Sequence, residues 1–200
     1  MSDKMIPLTA IKLLQIIQGE LKTNNSIFGI NRDNFFNPSD SSQLAIERYR
    51  HPLETPLGVA AGPHTQLSQN IISAWLCGAR YIELKTVQVL DQLEVGKPCI
   101  DMEREGYNCE WSQELTLDQS FHEYLNAWVI IHILQNELGI KRQDGHLGTI
   151  FNMSVGYDLQ GILSDKVQKF IQRMRSCPQE KYEVLEQLKP LYPKINQLEI

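Results

Sequence analysis

The sequence predicts an α/β protein: the N-terminal part of a TIM-type (β/α)8 barrel preceded by a small helical cap. Three features point there. A short apolar run at Leu57–Ala61, bounded by Pro56 and Gly62-Pro63, and strand-like segments at Arg80–Val87 and Thr149–Val155 read as parallel strands. Helical periods, with apolar residues three and four apart, fill the intervals. Small residues (Gly58, Ala60, Ala61 and Gly62) crowd the carboxyl end of the first run, where α/β proteins place cofactors. A closed barrel takes about 250 residues. The 200 residues here are therefore expected to hold a cap over 1–45 and the first half of a barrel over 46–200, continued beyond this chain.

Taken in order, Pro7–Lys22 reads as a helix capped by Thr9, with Ile11, Leu14, Ile17 and Leu21 as one stripe. Ile27–Ile30 and Phe35-Phe36 are apolar patches in an irregular region, and Asn37–Ser42 is a turn-rich linker. Residues 46–56 read as a short strand and turn. The run at 57–61 follows, then a helix carrying Leu67, Ile71, Ile72, Trp75 and Leu76, stopped by Gly78. Arg80–Val87 is a strand by its aromatic and branched content. Residues 88–113 form a long irregular insertion, more often a functional loop than filler. A strong helical period over 115–138 ends at Gly139. The strand Thr149–Val155 is followed by a helix capped at Ser164, with Val167, Phe170, Ile171 and Met174 inward. A charged helix at 180–188 comes next, and Lys194–Ile200 looks like the start of another strand.

Composition narrows the function. The net charge is −5 with no basic block, which argues against nucleic acid or an anionic membrane surface. No apolar run is long enough to span a bilayer and no signal-peptide core is present, so a cytoplasmic protein is expected. Cys77, Cys99, Cys109 and Cys177 form no Cys-x-x-Cys pair, so no metal or iron–sulfur site is expected within the chain. Cys77, inside an apolar helical pattern, is expected in the core. His122 and His132 lack the spacing of a metal pair. No Gly-x-Gly-x-x-Gly, Walker loop or Gly-x-Ser-x-Gly occurs.

Charged and amide side chains inside strands mark the candidate site. Glu83 and Lys85 share one face by the period-two rule, and either pair with each other or face a polar ligand. Asn152 inside a strand needs partners. A strand lysine with a depressed pKa could also form a Schiff base, which leaves a lyase or aldolase open as a minor reading.

Four segments, Pro56-Leu-Gly-Val-Ala-Ala-Gly62, Glu83-Leu-Lys-Thr-Val87, Tyr107-Asn-Cys-Glu-Trp111 and Phe151-Asn-Met-Ser154, occur in the order seen in a known group of flavin barrels. The chain resembles the dihydroorotate dehydrogenases and the flavin domain of dihydropyrimidine dehydrogenase. It is most similar to the N-terminal barrel region of the selenate reductase-type large subunits, which are iron–sulfur flavoproteins. Ser26–Ile30, Ala61–Gln66 and Gly96–Asp101 extend that likeness along nearly the whole chain.

The resemblance implies FMN lying across the strand ends, with iron–sulfur clusters only outside this chain. Ala60, Ala61 and Gly62 would pass under the ring, and Lys85 and Thr86 would meet its pyrimidine side. Asn108 and Asn152 would face the ring or the substrate. Lys85 is the catalytic candidate, since an ammonium stabilises negative charge on reduced flavin. His64 and Ser154 are candidate substrate contacts. The implied partners are a small-molecule substrate and other domains or subunits of a redox complex. In the pyrimidine enzymes a Cys follows the Asn-x-Ser of the fourth strand; here Val155 follows Ser154, so the resemblance does not extend to pyrimidine reduction. A non-catalytic barrel scaffold within a larger redox complex is the alternative.

Overall fold

In a computed structural model, residues 5–38, 43–88, 100–101, 107–108, 114–140, 146–156, 158–198 and 200 are described, the side chains of 88, 100, 101, 107 and 108 excepted. The first helix, α1 (Ala10–Asn24), begins where Thr9 Oγ1 accepts a hydrogen bond from Lys12 N at 3.2 Å and buries Leu13, Leu14 and Ile17. A tight hairpin follows, β1 (Ser26–Ile27) and β2 (Ile30–Asn31), in the region expected to be irregular. Its turn residues Phe28 and Gly29 both have positive φ, as the hairpin turns that match strand twist require. The Glu20 carboxylate accepts from Gly29 N at 3.0 Å and anchors that turn. A second antiparallel hairpin pairs β3 (Ile46–Arg48) with β4 (His51–Leu53) across Tyr49 and Arg50, also at positive φ.

The alternating part of the chain starts at β5 (Gly58–Val59). A 3-10 turn over Pro63–Gln66 leads into α2 (Ser68–Leu76), whose Ile71, Ile72, Trp75 and Leu76 face the core. The strand expected over 80–87 is two pieces, β6 (Tyr81–Glu83) and β7 (Val87–Gln88). Of the long insertion, β8 (Ile100–Asp101) and β9 (Tyr107–Asn108) form an antiparallel pair, and the rest of 89–113 lies outside the described residues. Then comes α3 (Leu117–Leu138), opened by a Thr116–Gln119 capping box and closed by Gly139 at φ 71. The last strand region is also split, into β10 (Ile150–Asn152) and β11 (Val155–Gly156). Three helices follow: α4 (Leu159–Ile162), α5 (Asp165–Arg175) and α6 (Pro178–Leu188).

β5, β6 and β10 form one parallel sheet in chain order, and β7 pairs with β11 in the same parallel sense. Strands, helices and parallel pairing make the fold α/β. Three successive parallel strands are an arc, and no closed barrel is formed among the described residues. Ile82 and Leu84, the apolar sides of α2 and α3, Leu13, Leu14 and Ile17 of α1, and Val184 and Leu188 of α6 share one core.

The amino-terminal end of the sheet is tied down by Arg80, which is fully buried. Its guanidinium pairs with Glu54, donates to the carbonyls of Trp75 (2.6 Å) and Ala79 (3.1 Å), and lies over the rings of Phe36 and Trp75. Thr55 Oγ1 donates to Gly78 O at 2.7 Å beside it.

Two expectations are corrected. The strand start expected over 194–200 is not formed among the described residues: Pro193–Gln197 is a 3-10 turn that swings Ile195 into the core. Pro193 pre-sets the turning φ, and burying Ile195 outweighs its strand propensity. Cys77 is exposed. The buried stripe of α2 runs through Ile72, Trp75 and Leu76, and one residue further the helix has turned about 100° away from it.

Candidate functional site

The parallel register brings the carboxyl ends of three strands to one side. Val59 pairs with Ile82 and Ile82 with Phe151, so Ala60, Glu83 and Asn152 form the next row. Around that row lie most of the residues singled out in the sequence. Ala60 is exposed, Ala61 half-buried and Gly62 buried. Ala61 N–H donates to the Glu83 carboxylate at 3.5 Å, and Gly62 N–H donates to Thr65 Oγ1 at 3.1 Å. Glu83 thus holds the small-residue loop.

Gly58 has a different reason to be small. A Cβ there would lie 2.8 Å from the backbone carbonyl of Tyr81, so the neighbouring strand excludes a side chain whether or not a ligand is present.

Lys85 is 3% exposed. Its Nζ donates to Thr86 O at 3.4 Å, and its own carbonyl accepts from the Tyr124 hydroxyl at 3.2 Å. The strand around it is irregular for a definable reason. Glu83 is level with Asn152 and Val87 with Val155, so residues 84–86 stand opposite only 153–154. That is a bulge with one extra residue, centred on Lys85. It interrupts the two-residue alternation on which Glu83 and Lys85 were placed on one face: Leu84 and Lys85, adjacent in sequence, are both buried. Leu84 N still bonds Asn152 O (2.9 Å) and Val87 N bonds Ser154 O (3.2 Å), so the ladder closes around the bulge.

The remaining candidates divide. Thr86, Asn152 and Ser154 are half-buried at the same strand ends. Asn152 ends β10, an edge strand of the three-stranded parallel sheet among the described residues. His64 is half-buried in the 3-10 turn, where its carbonyl accepts from Asn70 Nδ2 at 3.0 Å. Asn108 belongs to the β8–β9 pair by its backbone, and its side chain lies outside the described residues. A cavity of about 540 Å³ lies on the helical side, bounded by Phe121, Tyr124, Trp128, Phe151 and Met174; none of the candidate residues lines it.

A buried polar layer fixes the loop after β5, and the sequence reading missed it. Gln66, fully buried, donates its amide to the Glu114 carboxylate at 2.5 Å and to Pro63 O at 3.3 Å. Its oxygen accepts from Glu114 N at 3.1 Å and from Leu115 N at 3.4 Å. Beside it, Glu123 accepts from Ser68 N at 2.7 Å and so caps α2 from outside the helix, with Ser68 Oγ 2.9 Å away. Burial raises the Glu123 carboxyl above its ordinary range, partly offset by the bonds from Ser68. One signal was available: Glu123 sits between Phe121 and Tyr124 on a helix that is apolar on nearly every side.

The chain matches the family described as oxidoreductase YgfK, N-terminal TIM-barrel domain, over residues 28–198. The chain belongs to that family. It is 47% identical over 174 residues to the YgfK protein of Escherichia coli strain K12, covering 87% of this chain and 16% of that protein. The O157:H7 protein of the same name gives the same identity and coverage. This chain therefore spans about a sixth of the curated relatives it matches. No solved structure matches. In this YgfK-type domain no described helix is long and apolar enough to cross a membrane, and no described cluster of His, Cys, Asp or Glu is placed to hold a metal.

Proposed function

We propose that this chain is the flavin-facing first part of an FMN barrel in a longer oxidoreductase. The observation that carries the reading is that Ala60–Ala61, Lys85–Thr86 and Asn152 all lie at or just beyond the carboxyl ends of one set of parallel strands, with Lys85 buried. The donor set fits the group: an ammonium, an amide that both donates and accepts, and accessible backbone with no bulky side chain over it. Ala60 and Ala61 leave the strand end open to a planar ring. Asn152 orients a ring edge rich in amide groups. The Lys85 ammonium, in low-dielectric surroundings, favours negative charge developing beside it. FMN, when bound, supplies hydride and electron exchange.

The full-length protein is read as an iron–sulfur flavoprotein of the selenate reductase-like kind, with its clusters and electron partners outside this chain and a small-molecule substrate at the strand ends. Purified full-length protein should show the visible absorbance of a bound flavin and should release FMN on denaturation. Full-length protein that carries no flavin, and takes up none when FMN is added, overturns the reading. Lys85→Met separates catalysis from scaffolding: a scaffold keeps its activity, whereas the flavin site loses reduction or changes its rate by orders of magnitude.

A further inference from the structure

We infer that Tyr124 is a positioning residue for Lys85, acting through the strand bulge; this deepens the FMN reading and rests on it for its consequences. A bulge leaves an extra residue out of the ladder and re-aims a side chain. The displaced residue must satisfy its backbone elsewhere, because an unpaired buried carbonyl is costly. Here the extra residue falls at 84–86, and the Lys85 carbonyl is taken by the Tyr124 hydroxyl at 3.2 Å.

Tyr124 suits the task. It is 2% exposed, on the α3 face packed over the sheet, and flanked by Phe121 and Leu125 in the core. Burial pushes its phenol far above the ordinary range, so the hydroxyl stays protonated and remains a donor at any physiological pH. Fixing the Lys85 carbonyl fixes the peptide plane between Lys85 and Thr86. The Lys85 ammonium bonds the next carbonyl, that of Thr86, so both ends of the lysine are referred to the same short stretch of backbone. Loss of the phenol hydroxyl frees that plane to rotate and lets the ammonium leave the strand ends.

The test uses full-length protein and two readouts. First, the acylation rate of Lys85 by a small activated ester, followed by peptide mass spectrometry without FMN, is expected to rise about two- to tenfold in Tyr124→Phe, the factor one hydrogen bond commands. Second, with FMN bound, the midpoint potential of Tyr124→Phe is expected to move in the same direction as that of Lys85→Met, by a smaller amount. An unchanged acylation rate together with an unchanged potential, in a protein whose Lys85→Met potential does shift, overturns the positioning role and leaves the flavin reading intact. If no flavin binds at all, the flavin reading fails, and the acylation arm still decides whether Tyr124 holds the lysine. Should Tyr124→Phe not fold, 3-fluorotyrosine placed at 124 keeps the shape and strengthens the donor. Slower acylation than in the unmodified protein is then expected, and an unaltered rate overturns the inference.

Discussion

Gly58 and Arg80 show how much a single residue contributes here, and each gives a prediction. Gly58→Ala places a methyl 2.8 Å from the Tyr81 carbonyl, a backbone atom that cannot swing aside. Overpacking of this kind costs about 1–3 kcal/mol, and urea unfolding should show it equally with and without added FMN. A loss seen only in the FMN-bound protein would mean that the glycine serves the ligand. Arg80→Met leaves the Glu54 carboxylate buried without its guanidinium. Breaking such a pair costs about 3–5 kcal/mol. The double variant Glu54→Gln/Arg80→Met should recover part of that loss, because no uncompensated charge remains. Both residues were present in the sequence reading, but their reasons were not. In the sequence Gly58 looks like one of four small residues at a strand end, and Arg80 opens a strand. What distinguishes them is the identity of the neighbour, Tyr81 O in one case and Glu54 in the other, and no local pattern carries that information.

Helix ends are encoded locally, and at this level sequence and structure agree closely. Thr9 and Ser164 each cap the helix they precede, and Gly139 ends α3 in the left-handed region, while the Thr116 cap of α3 emerges from the structure. Thr116→Ala removes the acceptor for Gln119 N and is expected to lower stability by about 1 kcal/mol, read from the midpoint of chemical unfolding. The strands were legible in place and order but not in continuity. Both long candidates are interrupted, and the bulge between β6 and β7 has no composition of its own: Leu-Lys-Thr reads as strand by propensity. The Pro193–Gln197 turn escaped for a related reason, since Ile195 counts equally towards a strand and towards a core anchor. The candidate site was legible as residue types at strand ends. The Gln66–Glu114 and Ser68–Glu123 contacts that brace it join residues 48 and 55 apart, a separation at which sequence spacing predicts nothing.

Across the whole molecule, polar groups divide between the two ends of the sheet. The amino-terminal end closes on Arg80 and Glu54, while the carboxyl end carries Glu83, the buried Lys85 and the half-buried Asn152. Glu123, buried against Ser68 at the start of α2, gives the protein a pH dependence of definite sign. Its folded pKa is raised above the ordinary 4.5, so between the unfolded and folded pKa values the folded state binds more protons than the unfolded chain. Stability from this group is complete below the unfolded pKa and falls as pH climbs through the raised folded value. Glu123→Gln should flatten that part of the stability–pH curve measured by thermal unfolding. A curve with unchanged slope would mean that the carboxyl is ionised in the folded state.

The exposed thiol at position 77 makes this arrangement accessible to measurement. It follows α2, which carries the chain from the carboxyl end of β5 back to the amino-terminal end of β6. A maleimide dye attached there would stand on the opposite rim from the carboxyl ends of the strands. Its signal would report loosening of the bolted end without touching the strand ends at the other.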